Sequence, residues 1–166
     1  LVALGAPVVA RADTITYRSG TARPLDMEVT IQGLDPANNE LKYVSRQSGT
    51  AGHKPLEQIV TIKAQNEKTL SDAEEAFAAS KWDDAARLYS RALESDRDWV
   101  RSRAVVRLVE AANRSGQFGP AAKAYVELIK VNPATAATIK PTVPTDKPDA
   151  VKPAMDDVDR ALGGQL

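Results

Sequence analysis

One stretch of this chain is written twice, 36 positions apart. Trp82-Asp83-Asp84-Ala85-Ala86-Arg87-Leu88-Tyr89 is answered by Phe118-Gly119-Pro120-Ala121-Ala122-Lys123-Ala124-Tyr125. Each copy has an aromatic, a small Ala three places later and a second aromatic four further on, then Ala92 or Leu128. Self-similarity at such a period marks one helical hairpin repeated. A hairpin of this kind cannot bury its apolar face alone, so it stacks, and stacked hairpins leave a concave surface suited to holding other molecules.

Composition narrows the chemistry. The 166 residues hold 22 basic and 22 acidic side chains, which gives no general attraction to nucleic acid or an anionic membrane. There is no Cys and His53 is the only histidine, so disulfides, thiolate nucleophiles and two-histidine metal sites are excluded. No catalytic residues, cofactor or metal are expected, and neither is a small-molecule ligand. Residues 1–12 read as the end of a secretory signal: nearly all are small or apolar, and Ala10-Arg11-Ala12 before Asp13 has the small-x-small spacing of a signal-peptidase site. The expectation is a secreted or periplasmic protein. No later apolar run is long enough to span a membrane.

Between residues 13 and 64 the apolar period is two. Ile15 and Tyr17, then Met27, Val29 and Ile31, then Leu41 and Tyr43 alternate with polar neighbours. Ser19-Gly20, Gly33, Asp35-Pro36-Ala37-Asn38-Asn39 and Ser48-Gly49-Thr50-Ala51-Gly52 separate them. A last strand over Ile59–Lys63 succeeds Pro55-Leu56-Glu57-Gln58, which has room for one tight helical turn. The segment predicts an antiparallel meander of four or five strands. It resembles the small SH3-like or Sm-like barrels, in which a single turn precedes the closing strand. A unit of this size has a marginal core and should lean on the helices C-terminal to it.

From residue 65 the period becomes 3.6. Leu70, Ala73 and Phe77 share a face of a first helix, with Ser71-Asp72-Ala73-Glu74 available as a capping box. Asp83 is placed to cap a second helix bearing Ala85, Leu88, Tyr89 and Ala92, and Asp98 a third bearing Val100, Ala104, Val105 and Leu108. Gly116 stops the third helix. Pro120 suits the first turn of a fourth, which Asn132-Pro133 ends. Five of the ten prolines lie from Pro133 to Pro153, so residues 134–153 read as an extended linker. Met155, Val158 and Leu162 then allow a short amphipathic helix, or a frayed tail, over residues 154–166.

Residues 65–133 resemble two tetratricopeptide repeats. The first shows Ala73, Trp82, Ala85, Tyr89 and Ala92, and the second Gly116, Phe118, Ala121, Tyr125, Leu128 and Pro133. The first copy departs from the family in having Arg97 where Pro is usual, and the second in having Val109 and Leu128 at positions that are usually small. The fold expected is therefore α+β, a small antiparallel β-barrel followed by two such helical hairpins and a Pro-rich tail.

The resemblance also implies where a partner would bind. In this family the concave surface is lined by the first helix of each hairpin, which here offers Glu74 and Phe77, then Arg103, Val106, Glu110 and Asn113. The alternative is that two repeats make a shallow surface that packs on the barrel or the tail. Trp99, at the junction between repeats, is a candidate exposed anchor. These seven residues are the expected partner-binding set. The function expected is a non-enzymatic protein–protein interaction or assembly module, with a protein partner or self-association and no nucleic acid. The alternatives are an accessory part of an envelope enzyme and a structural element of a surface layer.

Overall fold

The computed structural model describes residues 12–20, 23–35, 37–145 and 148–161. The proposed signal segment, Leu162 and the two glycines after it lie outside the described residues, apart from Ala12. Five strands come first, β1 (Asp13–Tyr17), β2 (Leu25–Asp35), β3 (Glu40–Ser45), β4 (Ala51–Pro55) and β5 (Ile59–Lys63), with a 3-10 turn at Leu56–Gln58. Among the described residues six helices come after them: α1 (Lys68–Ala78), α2 (Trp82–Ala92), α3 (Asp98–Arg114), α4 (Phe118–Val131), α5 (Pro133–Thr138) and α6 (Pro148–Ala161). The fold is α+β.

All strand pairs are antiparallel, in the order β4-β3-β2-β1-β5. The period-two residues Ile15, Val29, Leu41, Ile59 and Ile62 are buried, as alternation across a half-buried sheet requires. The segment around Ala51-Gly52, rich in turn formers, is strand rather than loop. Gly52 pairs with Tyr43, and a Cβ there would stand 2.9 Å from the Tyr43 ring. Absence of a side chain is therefore what lets the Tyr43 ring lie over β4 at this pair.

The expected barrel is corrected to an open sheet, since β4 and β5 do not pair. Lys54 Nζ of β4 lies 3.9 Å from the ring centroid of Tyr17 on β1, so these two long side chains meet across the intervening strands β3 and β2. The edges stay unjoined because side chains from α1 and α3 take up the backbone groups of β5.

The repeated stretch folds alike in both copies. Trp82 and Phe118 each open a helix, and Ala85 and Ala121 are both fully buried. The turns before them share one backbone plan. Lys81 N–H donates to Ala76 C=O and Ser80 N–H to Phe77 C=O; Gln117 N–H donates to Ala112 C=O and Gly116 N–H to Asn113 C=O. These are paired Schellman motifs, with Ser80 at φ 59° and Gly116 at φ 70°. Neighbouring helices pack in order from α1 to α4, and α1 also packs on β5 and α3 on β2. One apolar cluster runs from Ile15 and Ile62 through Leu70, Tyr89 and Val105 to Leu128, so sheet and helices share a core.

Three expected caps act differently. Helix α1 begins at Lys68, so Ser71-Asp72-Ala73-Glu74 lies inside it, and the Ser71 hydroxyl holds Ala64 N–H and C=O at 2.9 and 3.0 Å where the chain leaves β5. Asp83 and Asp98 sit within the first turns of α2 and α3, where their charge complements the helix N-terminus. Asp83 also accepts a 2.6 Å hydrogen bond from Gln117 Nε2, joining the two turns.

The Pro-rich segment is partly helical. Pro133 starts α5, whose N-cap Asn132 accepts from Thr135 N–H at 2.9 Å, and α6 begins at Pro148 rather than after Pro153. Composition predicts an extended chain here because Pro breaks helix interiors; Pro133 and Pro148 are accommodated in first turns, whereas Pro153 lies inside α6 at the cost of one helical hydrogen bond. Helix α6 rests on α4 through a second cluster of Phe118, Ala122 and Ala154 with Val151 and Val158.

The left-handed position gives a paired test. A Cβ at Gly116 would meet open space, so Gly116→Ala should cost about 1 kcal/mol for backbone conformation alone. Ser80→Gly should gain roughly 0.5 kcal/mol, the relief at positive φ being offset by a freer unfolded chain. Urea midpoints moving in opposite directions would verify both.

Candidate functional site

Helices α1 and α3 turn their inner faces toward β5, the 3-10 turn and α5. Periodicity places Glu74 one turn from Leu70 and Phe77, and Arg103, Val106, Glu110 and Asn113 down one side of α3. The structure brings most of this set to one surface. That surface is covered by the chain itself.

Glu74 and Arg103 are buried, at 1% and 3% exposure. Glu74 Oε1 accepts from Arg103 Nε at 2.8 Å and Tyr89 hydroxyl at 3.0 Å, while Oε2 accepts from Arg103 Nη2 at 2.9 Å and Ile62 N–H at 3.2 Å. Arg103 further donates to the carbonyls of Leu56, Ile59 and Val60 at 3.0 to 3.2 Å. Arg107, one turn on, donates to Val60 C=O at 3.0 Å and to Glu110 at 2.7 Å. Its guanidinium lies 4.4 Å from the Phe77 ring centroid.

Burial opposes the Arg103 charge, but the attraction and hydrogen bonds of Glu74 outweigh it and hold the guanidinium above its ordinary pKa. Burial first, and then the Glu74 carboxylate, push the Tyr89 phenol above its ordinary value, so it stays a neutral donor. Phe77 is half-buried and meets Trp82 and Tyr89 edge to face, with centroids 5.0 and 6.1 Å apart. Trp99, expected to be exposed, is 5% exposed and belongs to the main core. It stands in the first turn of α3, where that helix meets β2, which explains its burial.

The other end of the face is open to a smaller degree. Val106 and Glu110 line a cavity of about 180 Å³ with Leu56, Glu57, Thr135 and Ile139. Beyond it, Asn113 brackets the chain after α5. Its Nδ2 donates to Lys140 C=O at 2.8 Å, and its Oδ1 accepts from Thr142 N–H at 2.8 Å. A carbonyl and the N–H two residues later face the same side in extended backbone, the conformation Ile139 has just before them. Asn113 thus holds a peptide as a neighbouring strand would.

Periodicity finds the face, but not its occupants. Arg107 is absent from the expected set because a charged residue on a helix ordinarily reads as solvated. Its spacing of four from Arg103, opposite a core-facing Glu74, is the signal that marks it. The segment from Ile139 to Thr142 is hidden by its linker-like composition.

A second concavity of about 960 Å³ lies between α2, α4 and α6. Several of its charges are paired internally, Arg87 with Asp84 at 2.9 Å and Lys123 with Asp157 at 3.1 Å. Lys123 holds the Asp157 carboxyl below its usual range, with Arg160 adding to the effect. Among the described residues, no group of three or more His, Asp or Glu is placed to hold a metal ion, and no helix is long and apolar enough to cross a membrane. No family model matches the chain, nor does any curated protein or solved structure.

Removing one member of the buried pair strands the other. Glu74→Ala should cost about 3 to 5 kcal/mol, and so should Arg103→Ala, while a double-mutant cycle in urea should show strongly non-additive losses.

The phenol supplies a pH test. A group whose folded pKa is raised contributes stability that is fully present below its unfolded pKa, about 10 for Tyr, and is lost as pH rises beyond it. Stability should therefore fall by up to about 1.4 kcal/mol per pH unit above pH 10 through this residue. Tyr89→Phe should flatten that part of the profile, as read from urea midpoints between pH 8 and 11.

Proposed function

We propose that this protein is a non-enzymatic protein–protein interaction or assembly module of the cell envelope or extracellular space, built on two tetratricopeptide-like hairpins beside an open, SH3-like antiparallel sheet. The single observation that carries this reading is the bracket of Asn113 on Lys140 and Thr142. The inner face of α3 already holds extended polypeptide backbone, through a side chain that recognises main chain and not sequence. The twofold hairpin plan supports it, with aromatic, Ala and left-handed positions recurring in register. The signal-like start of the sequence supports the location.

Of the seven expected partner residues, Glu74, Arg103 and Trp99 hold the fold together and Phe77 serves the aromatic cluster. Partner contact on this reading belongs to Val106, Glu110 and Asn113. Self-association through the same face is the alternative form of assembly.

The test is capture from an envelope fraction by the immobilised chain, with identification of the retained proteins and sedimentation of the free chain at several concentrations. In a chain opened by Thr142→Pro, which removes the N–H that Asn113 holds, adding Asn113→Ala should lower capture about tenfold, the effect of losing two modest hydrogen bonds. Capture that ignores this substitution would remove α3 from the role. A chain that retains no protein and stays monomeric at every concentration would remove the binding reading itself.

A further inference from the structure

The peptide that Asn113 holds belongs to the chain itself, and it is held lightly. Its side chains at Thr142 and Val143 are exposed, and both hydrogen bonds of the bracket are open to solvent. Ile139 and Pro141 are partly buried, and Ile139 borders the cavity beside Val106 and Glu110. On one side lies α5, six residues long. On the other lies α6, held by a cluster that shares no residue with the main core. Such segments open at a fraction of the free energy of global unfolding.

The pattern that fits the face is legible in the occupant. Pro141 fixes its own φ and keeps Lys140 out of the helical region, so the backbone is extended before it docks. An aliphatic residue two places before the proline fills the end of the cavity. The residue after the proline must keep its N–H, because Asn113 Oδ1 accepts from it.

We propose that Ile139 to Thr142 is an intramolecular occupant of the α3 face, an autoinhibitory contact that an extended partner segment of the form aliphatic–x–Pro–x, with x other than proline, displaces. This rests on the binding role proposed above and adds the class of ligand and the means of control. Wild-type chain is mostly self-occupied, and its apparent affinity for such a segment is lowered by the fraction of molecules in which the face is closed.

The experiment uses the full chain and a fluorescent peptide of its own sequence from Ala137 to Pro144, blocked at both ends. Thr142→Pro removes the N–H that Asn113 holds, at an exposed position already following a proline, and so should leave the core intact. Circular dichroism and the urea midpoint check the fold, and the Asn113 side-chain amide resonance reports whether the bracket has opened. The variant should bind the peptide about tenfold more tightly than wild type. Adding Asn113→Ala should abolish the gain.

A folded variant with an opened bracket that binds no peptide, or binds it no better than wild type, overturns the inference. That result leaves capture of a protein partner standing, whereas failure of capture sinks the binding role independently. A wild-type chain that forms a concentration-dependent dimer dispersed by the peptide also overturns it, because the displacing segment would then be a second copy of this chain.

Discussion

The whole arrangement depends on one buried ion pair. Glu74 and Arg103 come from helices on either side of α2, and between them they hold Ile62 N–H and the carbonyls of Leu56, Ile59 and Val60. Backbone groups of β5, and the Leu56 carbonyl of the 3-10 turn, are thereby bonded to side chains. Burying two charges is expensive, and the pair tolerates it because the carboxylate accepts four hydrogen bonds and the guanidinium is shared between carboxylate and main chain. The same contacts fix the position of the helices over the sheet. They also guard a sheet edge that would otherwise invite another chain to add to it.

Some of this is legible in the sequence, and the reasons for the rest are physical. Alternation reveals the strands at Ile15, Val29 and Leu41 because one face is buried and the other wet. The tight turn at Leu56–Gln58 is foreshadowed by Pro55 and the short distance to β5. Strand β4 is obscured, since Ala51 and Gly52 carry no strand preference and are placed by Tyr43. Closure into a barrel is not decided by any local pattern. Glu74 and the arginines of α3 occupy backbone groups of β5, which is a matter of tertiary packing.

The candidate site shows the same division. Helical periodicity puts Glu74, Arg103, Val106, Glu110 and Asn113 on one side of their helices, and the fold keeps them there. It carries no information about what lies opposite. Half of that surface became the joint between helices and sheet, where charged residues are buried, and half became a seat for the tail. Trp99 went to the core for a related reason: large aromatics at the start of a helix are as useful in anchoring it to a sheet as in meeting a partner.

The separation of the two apolar clusters gives the molecule two tiers of cohesion. The larger knits strands to helices and has the buried Glu74–Arg103 pair behind it; the smaller rests on Phe118, Ala122 and Ala154. Thermal agitation will therefore lift α6 from α4 while the body keeps its shape, and a mechanical pull on α6 will be felt first as slack. A protein built in this way has a handle that lets go before the vessel breaks.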